Sequence, residues 1–201
     1  MPASRRSTKS KKRSSIASAN VFIATSLDGF IARENGGIDW LSDGGGSAAV
    51  QATDGGDYGY TAFFESMDAI VMGRNTYELA RTFSNWPYGK TPVIVLTSRP
   101  LKIPKELSKT VESMAGTPKA IADRLASRDL TQLYVDGGKT VQQFIDAGLI
   151  RRIIITRIPI LLGSGIPLFG KLKNGDVRLR HVSTRTFSSG LVQSEYEVVP
   201  K

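Results

Sequence analysis

The sequence predicts an α/β sandwich built on a mainly parallel sheet, with an antiparallel hairpin at its C-terminal end. Three observations carry this. Short, nearly continuous Val/Ile/Leu runs recur along the chain, the pattern of strands buried on both faces. Helix-like segments with recognisable caps alternate with them. The last stretch, "VRLRHVSTRTFSSGLVQSEYEVV" (177–199), alternates polar and apolar residues about "SSG" and reads as a hairpin.

The first strand is "VFIATSL" (21–27), apolar and β-branched. A glycine-rich stretch, "SDGGGSAAVQATDGGDYG" (42–59), follows Trp40 and reads as a long functional or mobile loop. "YTAFFESM" (60–67) is a short amphipathic helix, and "DAIVMG" (68–73) is the next strand. "NTYELARTF" (75–83) is a helix opened by an Asn75 cap, and "TPVIVLTS" (91–98) is a strand. In "TPKAIADRLASR" (117–128), Thr117 is the N-cap and Pro118 takes the first helical position. "QLYVDG" (132–137) is a strand, and "KTVQQFIDAG" (139–148) is a helix ended by Gly148. "RRIIITRIPILL" (151–162) is the last of the buried strands, and no internal repeat is present.

Composition narrows the function classes. A chain of 201 residues, 40% hydrophobic and 22% charged, suits one soluble domain. No apolar run approaches the ~20 residues of a membrane span, and the N-terminus lacks the apolar core of a signal peptide, so a cytoplasmic location is expected. With no cysteine and one histidine, His181, neither a disulfide nor a Cys/His metal site can form. His181 lies in the hairpin, away from the motifs below, and reads as structural. The net charge of +9 belongs largely to residues 1–19, which hold six basic residues and no acid; without them the excess falls to three. This Ser/Lys/Arg-rich tail is expected to be disordered, ahead of a domain spanning 20–201.

Three strand ends share one chemistry. "MGRNT" places Gly73, Arg74, Asn75 and Thr76 between a strand and a helix. "VLTSRP" ends a strand in Thr97, Ser98 and Arg99. "VDGGKT" passes through Gly137 and Gly138 into a helix at Lys139 and Thr140. Helix starts offer unpaired N–H groups to anions, glycine permits close approach, and Arg or Lys adds a charge-assisted bond. Each turn alone is ordinary. Together, at the carboxyl edge of a parallel sheet, they describe a site for two or three phosphates, as in an NADP-type dinucleotide. No G-x-G-x-x-G fingerprint is present, which excludes a Rossmann site.

The ordered series "VFIATSLDGFIARENGGIDW", "DAIVMGRNTYE", "VIVLTSRP" and "LYVDGGKTVQQFIDAGLIRRIIITRIPILLGSGIPLF" resembles the dihydrofolate reductase superfamily. Within it, "SLDG", "DGG" before a helix and "LLGSGIPLF" are most similar to the riboflavin-biosynthesis reductase branch, the C-terminal half of bifunctional deaminase-reductases. The resemblance covers residues 20–199. It implies a dihydrofolate reductase-like three-layer sandwich with an eight-stranded sheet, NADPH as cofactor, a small heterocyclic substrate and a homodimer. It also implies that the three turns contact the cofactor's phosphates, that Ala24 and Ile31 border the nicotinamide, and that Leu96 lies on the adenine side. In the family the paired glycines can be joined by a cis bond.

True dihydrofolate reductases carry Pro-Trp and then, five or six residues on, a helical acid that hydrogen-bonds the pterin. Here Asp39 precedes Trp40, and the later positions are Gly45 and Gly46. Asp43 is the nearest candidate proton donor, in a segment of poor helix propensity. Asp28 is a candidate catalytic and substrate-binding carboxylate, against the alternative of an Asx turn with Gly29. Trp40 is a candidate platform for a flat substrate, against a core role. Glu78 reads as a surface charge, and Gly163 and Gly165 as turn-forming. No cysteine and no H-x-E motif accompany the domain, so no zinc deaminase is fused within this sequence. The expected activity is that of a stand-alone 5-amino-6-(5-phosphoribosylamino)uracil reductase. The alternatives are dihydrofolate reduction, cofactor binding without catalysis, and nucleic-acid binding through the tail; the near-neutral folded part, without basic-aromatic interleaving, argues against the last.

Overall fold

The computed structural model describes residues 17–43 and 57–200, the side chains of Ser42 and Asp43 excepted. The tail to Ile16 and residues 44–56 of the glycine-rich stretch lie outside the described residues. In chain order the strands are β1 (Ser18–Ser26), β2 (Phe30–Ala32), β3 (Ala69–Gly73), β4 (Val93–Leu96) and β5 (Val111–Met114). They continue with β6 (Gln132–Asp136), β7 (Ile150–Ile158), β8 (Ile166–Pro167), β9 (Leu179–Thr186) and β10 (Val192–Val198). The helices are α1 (Asp39–Asp43), α2 (Tyr60–Glu65), α3 (Arg74–Ala80), α4 (Pro118–Ala126) and α5 (Gly138–Asp146).

Eight strands form one sheet in the order β5-β4-β3-β6-β1-β7-β10-β9. Every pairing from β5 to β7 is parallel, and β10 runs antiparallel to both neighbours. The apolar runs explain the layering. Ala69, Ile70, Val71 and Met72 of β3 are all fully buried, so neither face of the central sheet meets water. Ile121, Ala122 and Leu125 of α4 pack with Val141 and Phe144 of α5 on one face. Phe63 of α2 and Tyr77 and Ala80 of α3 pack on the other. This is the expected three-layer sandwich.

Local signals decide where the helices begin and end. The Thr117 hydroxyl accepts from the Ala120 N–H (3.3 Å), as the cap reading predicts. Helix α5 closes with the Leu149 N–H on the Phe144 carbonyl (3.0 Å) and the Gly148 N–H on Ile145 (2.9 Å), with Gly148 in the left-handed region. Two expectations need correction. Asn75 is not the cap of α3: Gly73 occupies that position and Arg74 opens the helix. The strand begins earlier than the proposed tail boundary, because Ser18 and Ala19 pair with Gln132 and Leu133 of β6. At the far edge, β9 is exposed along its whole length, is bulged at its pairing with Glu195 and Tyr196, and carries no acid. A bulged, basic edge resists unwanted strand addition.

Candidate active site

The three phosphate-like turns come together because β4, β3 and β6 are neighbours in the sheet. Their carboxyl ends place Thr97, Gly73 and Gly137 side by side on one edge. The starts of α3 and α5 interlock. A Cβ on Gly137 would lie 2.3 Å from the Thr76 hydroxyl oxygen, and one on Gly73 would lie 3.2 Å from the Thr140 hydroxyl oxygen. Gly137 also holds φ +89°, a conformation costly to any L residue. The two threonines thus fill the space that the two glycines leave, drawing the helix starts together. Neither start has a side-chain cap, unlike α4. Their first-turn N–H groups therefore present a paired donor set at the positive ends of two helices. The Gly137–Gly138 peptide is trans.

Around this edge the predicted residues take different roles. Ser98, Arg99 and Lys139 are exposed. Arg74 is not a free cation: its guanidinium donates to the carbonyls of Arg99 (2.9 Å) and Pro100 (2.5 Å) and to the Thr97 hydroxyl (3.3 Å). It ties the start of α3 to the turn after β4. Asn75 is exposed on the first turn of α3. Ile31 of β2 lies over the start of α5, 3.1 Å from where a Gly138 Cβ would stand. Ala24 and Leu96 are half-buried, the first packed near Trp40 and the second against the α4–α5 core.

The last residue of β6, Asp136, was not singled out by sequence. It precedes Gly137, whose N–H donates to its Oδ1 (2.7 Å). Burial first, and the nearby Asp136 carboxylate second, oppose ionisation of Tyr60, Tyr88 and Tyr134. Burial pushes the Asp136 carboxyl up to about 6, against the lowering effect of the Gly137 N–H. A carboxyl whose proton affinity is raised by burial at the end of a parallel strand is a candidate functional group. The sequence did hold a signal, since Asp136 and Tyr134 are two apart and share a sheet face.

The chain matches the family model of the RibD C-terminal domain over residues 18–193. It belongs to the RibD C-terminal domain family. Bacillus subtilis YwjB, an uncharacterized protein, is 35% identical over 178 residues, covering 88% of this chain and 95% of its own. A candidate riboflavin-biosynthesis protein from Shewanella sp. PV-4 shares 36% identity with a TM-score of 0.82, covering 91% of this chain and 99% of that one. The fold reaches further, to a dihydrofolate reductase of Enterococcus faecalis complexed with NADP(H) and RAB-propyl, at 20% identity and TM-score 0.58, over 92% of this chain and 95% of that one.

In this RibD C-terminal domain, Asp28 is hydrogen-bonded to the loop after β7 and Trp40 is buried. Asp28 accepts from the Ser26 hydroxyl (2.6 Å) and from the N–H groups of Gly163 (2.7 Å) and Leu162 (3.2 Å). These bonds, the Ser26 hydroxyl first, hold its carboxyl below the usual carboxylate range. It clamps the loop after β7 and remains exposed. That loop also pairs with β2 through β8, and a Cβ on Gly165 would come within 2.3 Å of the Ala32 carbonyl. Trp40 is 1% exposed, packed with Tyr58, Ile158 and Leu191, so it is core and not a platform. The side chain of Asp43 lies outside the described residues. Asp39 forms a two-toothed pair with Arg33 at 2.8–3.0 Å.

Proposed function

We propose that the protein is an NADPH-dependent reductase of a nitrogen-rich heterocycle, in the manner of 5-amino-6-(5-phosphoribosylamino)uracil reductase. One observation carries the reading: two uncapped helix starts, locked together by Thr76 and Thr140, open onto the same edge as Asp136. Family membership supports it.

The donor set fits a dinucleotide. The N–H groups at the starts of α3 and α5 would hold the pyrophosphate, and Ser98, Arg99 and Lys139 the 2′-phosphate. Arg74 would act one step back, fixing the turn that bears Ser98 and Arg99. Ile31 and Ala24 would border the nicotinamide, with Leu96 toward the adenine. NADPH, when bound, supplies a hydride. Its addition to substrate leaves one proton to deliver, and the Asp136 carboxyl is a group at this edge whose proton affinity burial raises. Folate fits less well. The positions five and six beyond Trp40, where an acid would be needed to grip a pterin, are Gly45 and Gly46.

Turnover decides between these substrates. NADPH oxidation is expected with the ribosylaminopyrimidine phosphate and not with dihydrofolate, assayed side by side. Efficient turnover of dihydrofolate would overturn the reading. For the cofactor, Arg99→Ala and Lys139→Ala are each expected to weaken NADPH about tenfold, the loss of one charge-assisted bond, while leaving NADH binding unchanged. Equal losses for both dinucleotides, measured by fluorescence titration, would remove these residues from the 2′-phosphate.

A further inference from the structure

We propose that Asp28 is a positioning residue: its carboxylate staples the loop after β7 to the β1–β2 turn and so holds the β2–β8 pair as a wall over the start of α5, beside the nicotinamide end of the cofactor. The proposal rests on the reductase reading above. It joins "SLDG" and "LLGSG", two stretches that the phosphate-like turns leave without a role. The staple is built from both sides. The Ser26 hydroxyl, fully buried, donates to Asp28 Oδ1 and accepts from the Phe30 N–H (3.0 Å), so the end of β1 aims the carboxylate. From the loop, two successive N–H groups close on it, Leu162 on Oδ1 and Gly163 on Oδ2. An ionised carboxylate carries acceptors and no donor, so one side chain satisfies all three donors.

A pair of strands three and two residues long is marginal by itself, so its place is set by what ties it down. The Leu27 N–H holds the Ile160 carbonyl (2.8 Å), and Asp28 holds the loop just ahead of β8. At the far end the Leu168 N–H donates to the Gly29 carbonyl (3.0 Å). There Gln142 of α5 also donates to the carbonyls of Pro167 (3.2 Å) and Leu168 (3.1 Å). The wall meets α5 closely: a Cβ on Gly138 would stand 2.9 Å from the Pro167 carbonyl oxygen and 3.1 Å from Ile31 Cδ1.

Sheet order decides which half of a dinucleotide this wall borders. With the 2′-phosphate at the turn after β4 and the pyrophosphate at the starts of α3 and α5, the cofactor runs from β4 across β3 to β6. The next strand is β1, and the wall continues from its end. The nicotinamide half therefore meets the wall, and the adenosine half does not.

The test compares two ligands on the full chain by calorimetric titration. NADPH reaches both cradle and wall; 2′-phospho-ADP-ribose keeps both phosphate groups, lacks the nicotinamide, and reaches the cradle alone. Asp28→Ala is expected to weaken NADPH about tenfold, because the ligand must then order the wall itself, and to leave 2′-phospho-ADP-ribose within about twofold. Asp28→Asn keeps one acceptor for the loop and should fall between Asp28→Ala and the parent; it carries the same comparison if the alanine variant does not fold. A second arm follows hydrogen exchange in the free protein. In the variants the Leu168 amide should exchange at least about tenfold faster, while Val71 and Val135 keep their protection. Equal losses for both ligands, unchanged exchange at Leu168, or a fall in kcat with both affinities intact overturns the proposal. Wild-type protein that binds neither ligand overturns the reductase reading instead, and the exchange arm still decides whether Asp28 holds the wall.

Discussion

Gly137→Ala is expected to destabilise the protein by about 3 kcal/mol and to abolish tight NADPH binding. Two costs add. A left-handed backbone conformation is worth about 1–2 kcal/mol against an L residue. The new methyl group would sit 2.3 Å from the Thr76 hydroxyl oxygen, and relieving such overpacking costs about 1–3 kcal/mol more. Relief means moving α3 away from α5, which separates the paired donors. Denaturant melts and a fluorescence titration with NADPH measure the two effects. The variant Gly137→Ala/Thr76→Ala separates them, because it removes the clash and keeps the unfavourable φ. It should recover the steric share of stability and no more. A single variant as stable as the parent would show that the interlock does not constrain the edge.

Asp136→Asn is expected to lower kcat about a hundredfold or more while raising the melting temperature at pH 7.5. The direction follows from linkage. Burial pushes the native carboxyl up to about 6, above its ordinary value of 3.8, so between those limits the folded state binds a proton that the unfolded state lacks. Stability contributed by this group is present below pH 4 and is lost as pH rises through 6. Above that point the ionised, desolvated form weighs against the fold by roughly 2–3 kcal/mol, which an amide avoids. The gain should therefore shrink as melts are repeated toward pH 4. A variant that loses activity and stability together at pH 7.5 would place Asp136 among the purely structural acids.

Much of this architecture could be read from residue order, and the exceptions share a cause. Continuous Val/Ile runs mark β3, β6 and β7 because parallel strands must be apolar on both faces. Thr117 marks α4 because its cap is satisfied three residues away. Strand β5, "VESM", escaped notice because Glu112 and Ser113 give it neither a continuous nor an alternating apolar pattern. The meeting of the three turns on one edge was legible from the parallel-sheet pattern. Arg74 and Trp40 were not, since each is decided by atoms distant in sequence. The carbonyls of Arg99 and Pro100 claim the first, and Tyr58, Ile158 and Leu191 enclose the second. Asp136 owes its raised proton affinity to burial, which no local spacing announces.

The mirrored Thr76–Gly137 and Thr140–Gly73 contacts have a kinetic consequence. They join side chain to backbone within the protein, so the two helix starts hold their separation whether or not an anion lies between them. Such a cradle is preorganised, and a dinucleotide entering it surrenders its own freedom without ordering the receptor. Association should be single-phase, with the edges of β3 and β6 alike before and after binding.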